Sequence, residues 1–160
     1  MGEVTGVFHA VICVSEMASA LKFSRDVLGL RVTYDAINDP KTLGDLLGYD
    51  RPEAHQVIVE CPDGSEIELA EFRKPRGRAK VSRHWSDAGI NFLSLRVNGI
   101  EALMARITAA GYRFTSGLIC QRFPDGTIKV ATCYDPDDTF ITLVELPVGK
   151  RTLGKQEEQR

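Results

Sequence analysis

Apolar and polar positions along the chain fall into two recurring grammars, one of period two and one of helical period. His9-Ala10-Val11-Ile12-Cys13-Val14 reads as a strand. After Ser15 and Glu16, the apolar residues Met17, Ala20, Leu21, Val27 and Leu28 recur at helical spacing before Gly29. The same order returns at Phe92: Phe92-Leu93-Ser94-Leu95-Arg96-Val97 is strand-like, and Ile100, Leu103, Met104 and Ile107 lead to Gly111. Val14 to Gly29 spans fifteen positions and Val97 to Gly111 fourteen. The hairpin signals repeat too. Pro62-Asp63-Gly64 precedes Ser65-Glu66-Ile67-Glu68-Leu69, and Pro136-Asp137-Asp138 precedes Thr139-Phe140-Ile141-Thr142-Leu143. Both prolines stand six residues before the fourth residue of the following run, Glu68 and Thr142. A self-match of this order is the mark of an internal duplication.

Each half therefore reads strand, helix, strand, strand, strand. The first predicts strands at 7–14, 30–36, 55–61 and 65–72 with a helix at 16–28. Its connection 37–54 is long for a compact domain, so it holds either a short helix from Lys41 to Leu47 or a lid. The second predicts strands at 90–97, 112–119, 127–134 and 139–145 with a helix at 99–110. Pro124-Asp125-Gly126 is the turn between two of these strands. The boundaries that follow are module one at 5–73, a basic Pro/Gly-punctuated linker at 74–88 and module two at 89–147. Together they make a single domain over 1–147, followed by a polar tail at 148–160.

Composition narrows the function classes. A chain of 160 residues with 43% hydrophobic and 26% charged content is an ordinary globular protein. Twenty basic against 22 acidic residues leave a net charge of −2, which gives no electrostatic footing for a nucleic acid or an acidic membrane. No apolar run is long enough to span a bilayer. Glu3 stands where a signal peptide needs positive charge, and Gly6 where a myristoylation signal needs Ser or Thr, so a cytoplasmic location is expected.

The four cysteines, at 13, 61, 120 and 133, form no C-x-x-C pair, and three sit in apolar strand-like runs as small buried hydrophobes. The histidines at 9, 55 and 84 form no metalloprotease pair. His55 falls before the third strand and His84 in the linker, where both read as exposed. Phosphate-binding loops and the G-x-S-x-G elbow are absent.

Ser24-Arg25-Asp26-Val27-Leu28-Gly29-Leu30 is similar to the F-Y-x-D-x-L-G-L segment of the vicinal oxygen chelate superfamily, and Ile67-Glu68-Leu69 resembles its fourth-strand signature. That superfamily includes glyoxalase I, methylmalonyl-CoA epimerase, extradiol dioxygenases, and fosfomycin and bleomycin resistance proteins. Met1 to about Pro147 fits its paired modules. The resemblance implies an α+β fold: two tandem βαβββ modules forming a curved eight-stranded mixed sheet around a pocket, with helices on the outer face. It further implies a homodimer, in keeping with sheet edges that need covering.

In the family the ligand positions lie on the first and last strands of each module. The match gives His9 and Glu68 in module one, and Phe92 and Thr142 in module two. Strand parity agrees: Leu93, Leu95 and Val97 suit a helix-facing side, while Phe92 shares its side with Ser94 and Arg96. The chain departs from the family here, because phenylalanine coordinates nothing and a threonine hydroxyl is a poor ligand for a divalent transition metal. No cofactor is expected, and a divalent metal would find only His9 and Glu68. An iron-dependent dioxygenase is disfavoured most, since it needs two histidines and a carboxylate.

Without metal, Glu68 and His9 suit acid–base catalysis, set against the plainer reading of a core histidine and a solvent-facing glutamate. Val7, Val11, Phe92, Phe140 and Val144 would line the pocket as apolar walls. Ser94 and Arg96 could bind a substrate carbonyl or carboxylate, or Arg96 could pair with a surface acid. Tyr134 and Arg122 could reach its mouth, and Trp85 could cover it or a dimer seam. The substrate-binding set is thus Phe92, Ser94, Arg96, Phe140, Thr142, Val11 and Tyr134. Three functions compete: a lyase or isomerase acting on an apolar oxygenated small molecule, a non-catalytic binding or resistance protein, and a metal-dependent glyoxalase-like lyase. The retained pair favours the first over the second, and Phe92 with Thr142 disfavours the third.

Overall fold

The computed structural model describes residues 2–77, 84–86, 88–89 and 92–150. The chain divides into two compact units, Met1–Val81 and Ser82–Arg160. Residues 78–83 and 87 of the expected linker, 90–91 of the fifth strand and 151–160 of the expected tail lie outside the described residues.

The first unit runs β1 (His9–Cys13), α1 (Met17–Leu21), β2 (Arg31–Ile37), α2 (Pro40–Leu47), β3 (Glu53–Glu60) and β4 (Glu66–Lys74). Its sheet has the order β1-β4-β3-β2, with β1 parallel to β4 and the other pairs antiparallel. The helix continues past Leu21 as a π-helical segment, Lys22–Val27, in which Leu28 N–H donates to Phe23 O at 2.9 Å. Ser24 Oγ donates to Ala20 O at 2.8 Å, and Gly29 (φ 80°) takes the left-handed turn that leads into β2. Met17, Ala20, Phe23 and Val27 are buried on this helix, and Val57, Val59, Ile67 and Leu69 are among the buried residues of the sheet.

The open choice for 37–54 resolves as a helix. Asp39 caps α2 by accepting from Thr42 N at 2.8 Å, Pro40 opens the first turn, and Gly48 (φ 73°) closes it.

The second unit repeats the plan as β5 (Phe92–Arg96), α3 (Ile100–Ala109), β6 (Ile119–Phe123), β7 (Gly126–Tyr134) and β8 (Phe140–Glu145), in the order β5-β8-β7-β6. Gly99 offers α3 no capping side chain, so Glu145 reaches across from β8 and accepts from Ile100 N at 2.6 Å. Ile100 and Ile107 are fully buried on the helix that packs on β7 and β8, and Leu143 and Cys133 are fully buried on those strands. The α+β architecture of two βαβββ modules is what the chain adopts, in two four-stranded mixed sheets.

Three local expectations are corrected. The sixth strand is not at 112–119: Phe114 makes only an isolated bridge with Cys133, and the ladder with β7 begins at Ile119. The turn Pro124-Asp125 pairs Phe123 with Gly126 and so fixes that register from the hairpin end. Of the cysteines, Cys133 is buried and Cys61 partly so, while Cys13 and Cys120 are exposed. The edge strands β1 and β6 carry the exposed pair. His55 lies within β3 as Ile37's partner, its Nε2 2.6 Å from Asp35 Oδ1.

Candidate functional site

Two neighbouring parallel strands bring the acid and the base of the first unit together. In the β1–β4 ladder His9 pairs with Glu66 and Val11 with Glu68, so His9, Val11 and Cys13 share a face with Glu66, Glu68 and Ala70. Ile67 and Leu69, buried at 6% and 5% exposure, take the opposite face. His9 Nε2 lies 3.2 Å from Glu68 Oε2, and Glu68 is only 9% exposed. His9 Nδ1 is buried with no hydrogen-bond partner. The edge ring of Phe8 lies 4.7 Å from the imidazole. Val7, expected on this face, precedes β1 and is fully exposed. Cys13 is close enough that its thiol is pushed up, first by partial desolvation and then by the charge of Glu68.

The second unit presents a different chemistry at the equivalent strand positions. Phe92 pairs with Phe140 and Ser94 with Thr142 across β5–β8, while Thr132 and Tyr134 pair with Thr142 and Phe140 across β7–β8. Val11 and Phe92 are half-exposed, and Phe140 and Thr142 are buried. Arg96 lies on the exposed side of β5, as strand parity required. Thr142 Oγ1 is 3.0 Å from Thr132 Oγ1. The indole of Trp85 stacks on Phe140 at 4.4 Å between centroids and lies 5.1 Å from Phe92. Tyr134 is 5.2 Å from Phe140, and the Arg113 guanidinium sits 3.6 Å over the Tyr134 ring. Thr132 and Arg113 were not among the sequence candidates. The hairpin register, once counted back from Pro136, would have put Thr132 beside Thr142.

A family model described as Glyoxalase/Bleomycin resistance protein/Dioxygenase superfamily matches residues 8–132. The chain belongs to that superfamily. Superfamily members of solved structure share the fold. A glyoxalase family protein from Bacillus cereus is 20% identical, with a TM-score of 0.80 over 90% of this chain and 95% of that one. A glyoxylase/bleomycin resistance protein/dioxygenase domain from Frankia is 19% identical, with a TM-score of 0.65 over 92% and 96%. A fosfomycin resistance protein from Listeria monocytogenes, solved as a mutant with Mn(II) and 1S,2S-dihydroxypropylphosphonic acid, is 14% identical. Its TM-score is 0.59 over 88% of this chain and 92% of that one. Curated proteins give no match. The superfamily includes both enzymes and resistance proteins, and no helix among the described residues is long and apolar enough to cross a membrane.

The residues of the first unit's site do not fit a resident divalent metal. At that site His9 and Glu68 offer two donors. Among the described residues no three His, Cys, Asp or Glu side chains gather as a metal-binding group. Zinc, manganese or iron sites built for catalysis use about three protein ligands.

Proposed function

We propose that this superfamily member is a metal-independent lyase or isomerase that moves a proton on a small apolar oxygenated substrate. Glu68 is the base and His9 is its positioning residue. The observation that carries the reading is the 3.2 Å approach of His9 Nε2 to a buried Glu68 carboxylate. A buried imidazole N–H left unpaired costs about 1–3 kcal/mol, so the unpartnered Nδ1 places the proton on Nε2, facing Glu68. His9 thereby holds Oε2 and directs the remaining carboxylate oxygen to the substrate. That oxygen takes the proton from a carbon next to a carbonyl and returns it to another substrate atom in an isomerase. In a lyase it returns it to the leaving group. Such a molecule works in the cytoplasm on a small molecule, as a homodimer, with no nucleic acid or membrane partner.

The half-exposed rings of Trp85 and Phe92 favour a second reading, a binding or resistance protein without turnover. Steady-state kinetics on a panel of carbonyl compounds separates the two. The first reading predicts turnover in the wild type that Glu68→Gln lowers about 10²–10⁴-fold. It also predicts that His9→Ala displaces the pH–rate profile and that His9→Asn partly restores it. Saturable binding with no turnover, in protein whose thermal melt is normal, would contradict it.

A further inference from the structure

Removing a proton from the carbon beside a carbonyl sends the electron pair of the broken C–H bond towards the carbonyl oxygen. A metal-independent site needs a hydrogen-bond donor where that charge develops. Glu68 cannot supply it, because a carboxylate only accepts, and His9 Nε2 is turned to Glu68. The donor has to come from elsewhere on the same face of the first sheet.

Strand register orders that face into rows. Val11, Glu68, Ile58 and Tyr34 stand side by side across β1, β4, β3 and β2, and Cys13, Ala70, Gln56 and Ala36 form the next row. Tyr34 is two strands from Glu68, about 10 Å at the usual strand spacing. Gln56 is the diagonal neighbour of Glu68, and such positions lie about 7–8 Å apart. That separation suits a carboxylate about 3 Å from the reacting carbon and an N–H about 3 Å from the carbonyl oxygen two bonds away. Cys13 is a diagonal neighbour too, on β1, but a thiol is a weak donor.

Gln56 is also held with its donor end unspent. Its Oε1 accepts from Asn38 Nδ2 at 3.0 Å, which leaves two hydrogens on Nε2. Among the described residues nothing takes them. The ladder partners on either side, Ala70 and Ala36, are short and apolar and offer no acceptor side chain.

We infer that Gln56 is a second catalytic residue, whose Nε2–H holds the carbonyl oxygen of an enolisable ketone or aldehyde while Glu68 takes the proton from the adjacent carbon. This rests on the acid–base reading of Glu68 and supplies the donor that reading lacks. The C–H bond breaks, its proton goes to Glu68, and its electron pair forms the new C=C bond. The carbonyl π pair moves onto oxygen, against Gln56 Nε2–H. Return of the proton from Glu68 reverses the flow.

The full chain is incubated in deuterated buffer with acetone, cyclohexanone and acetophenone, and NMR follows deuterium uptake beside the carbonyl as a function of ketone concentration. Gln56→Met removes both hydrogens from a side chain of almost the same length. Gln56→Glu removes them as well but keeps an oxygen for Asn38 Nδ2, so it separates donation from support of the neighbouring strand. An enclosed oxyanion donor contributes about 10²–10³-fold, and half-buried Gln56 should contribute less. With melts like the wild type, both variants should therefore lower the maximal exchange rate about 10- to 10²-fold for a ketone the wild type exchanges. KM should move less, because the bond strengthens as charge develops. Exchange that depends on Glu68 yet persists at the wild-type rate in a folded Gln56→Met protein would overturn the inference and leave the acid–base reading standing. No exchange by the wild type, or exchange that Glu68→Gln does not lower, would overturn that reading and the inference with it.

Discussion

His9 faces Glu66 in the strand ladder, yet its imidazole meets Glu68, two residues further along β4. Successive same-face residues on a strand are about 6.6 Å apart, so the ring leans along the strand direction to reach the more buried of the two carboxylates. Glu66 remains partly exposed at the end of the ladder, beside its β3 partner Glu60, which pairs with Arg31 at 2.8 Å. The geometry thus singles out one of three neighbouring glutamates.

A two-donor site predicts little metal. Elemental analysis after gentle purification should find Zn, Ni, Fe and Mn well below one equivalent per chain. A full equivalent of one metal that disappears in Glu68→Ala would overturn metal independence.

Asp135 predicts a pH-dependent stability difference. Burial raises its carboxyl above the usual range, against the backbone N–H groups of Thr139 and Asp137, which donate to Oδ1 at 2.7 and 2.8 Å. A carboxyl raised in the folded state favours folding below its unfolded pKa, and that contribution is lost as pH rises through the folded value. Asp135→Asn keeps an acceptor and removes the buried charge. Its melting temperature relative to the wild type should therefore be highest near neutrality and should fall as the pH drops towards 4. A difference that is constant with pH would contradict this.

Gly126 opens β7 at φ 133°, and a Cβ there would stand 2.7 Å from two side-chain atoms of Pro147. Backbone strain and overlap together predict that Gly126→Ala lowers unfolding free energy by roughly 1–3 kcal/mol in a denaturant titration. An unchanged midpoint would show that the Pro147 segment moves aside at no cost.

Much of this arrangement was legible in the sequence because each module's strands alternate cleanly. Ile67 and Leu69 against Glu68, or Leu93 and Leu95 against Phe92, declare their faces without any tertiary information. The sixth strand was not legible. Tyr112-Arg113-Phe114 alternates like a strand, but pairing is decided by the hairpin turn at Pro124-Asp125, and its count starts from the far end. The placement of His55 was misread for a related reason. It stands at the boundary of the expected third strand, and the observed β3 begins two residues earlier, at Glu53. Trp85 could be flagged as a cover, but its stacking partner, Phe140, is more than fifty residues away and no local pattern names it.

Sheet edges predict the assembly. β1 and β2 end the first sheet, and β5 and β6 the second. Static light scattering at micromolar concentration should give twice the chain mass, and a monomer mass would remove the homodimer from the account.

The most direct test of the central claim follows the proton itself. Carbonyl compounds are incubated in deuterated buffer, and deuterium uptake at the carbon beside the carbonyl is followed by NMR for the wild type and for Glu68→Gln. The account predicts enzyme-dependent uptake for at least one compound, reduced about 10²–10⁴-fold in a Glu68→Gln protein with an unaltered melt. Equal uptake by the two folded proteins would contradict it.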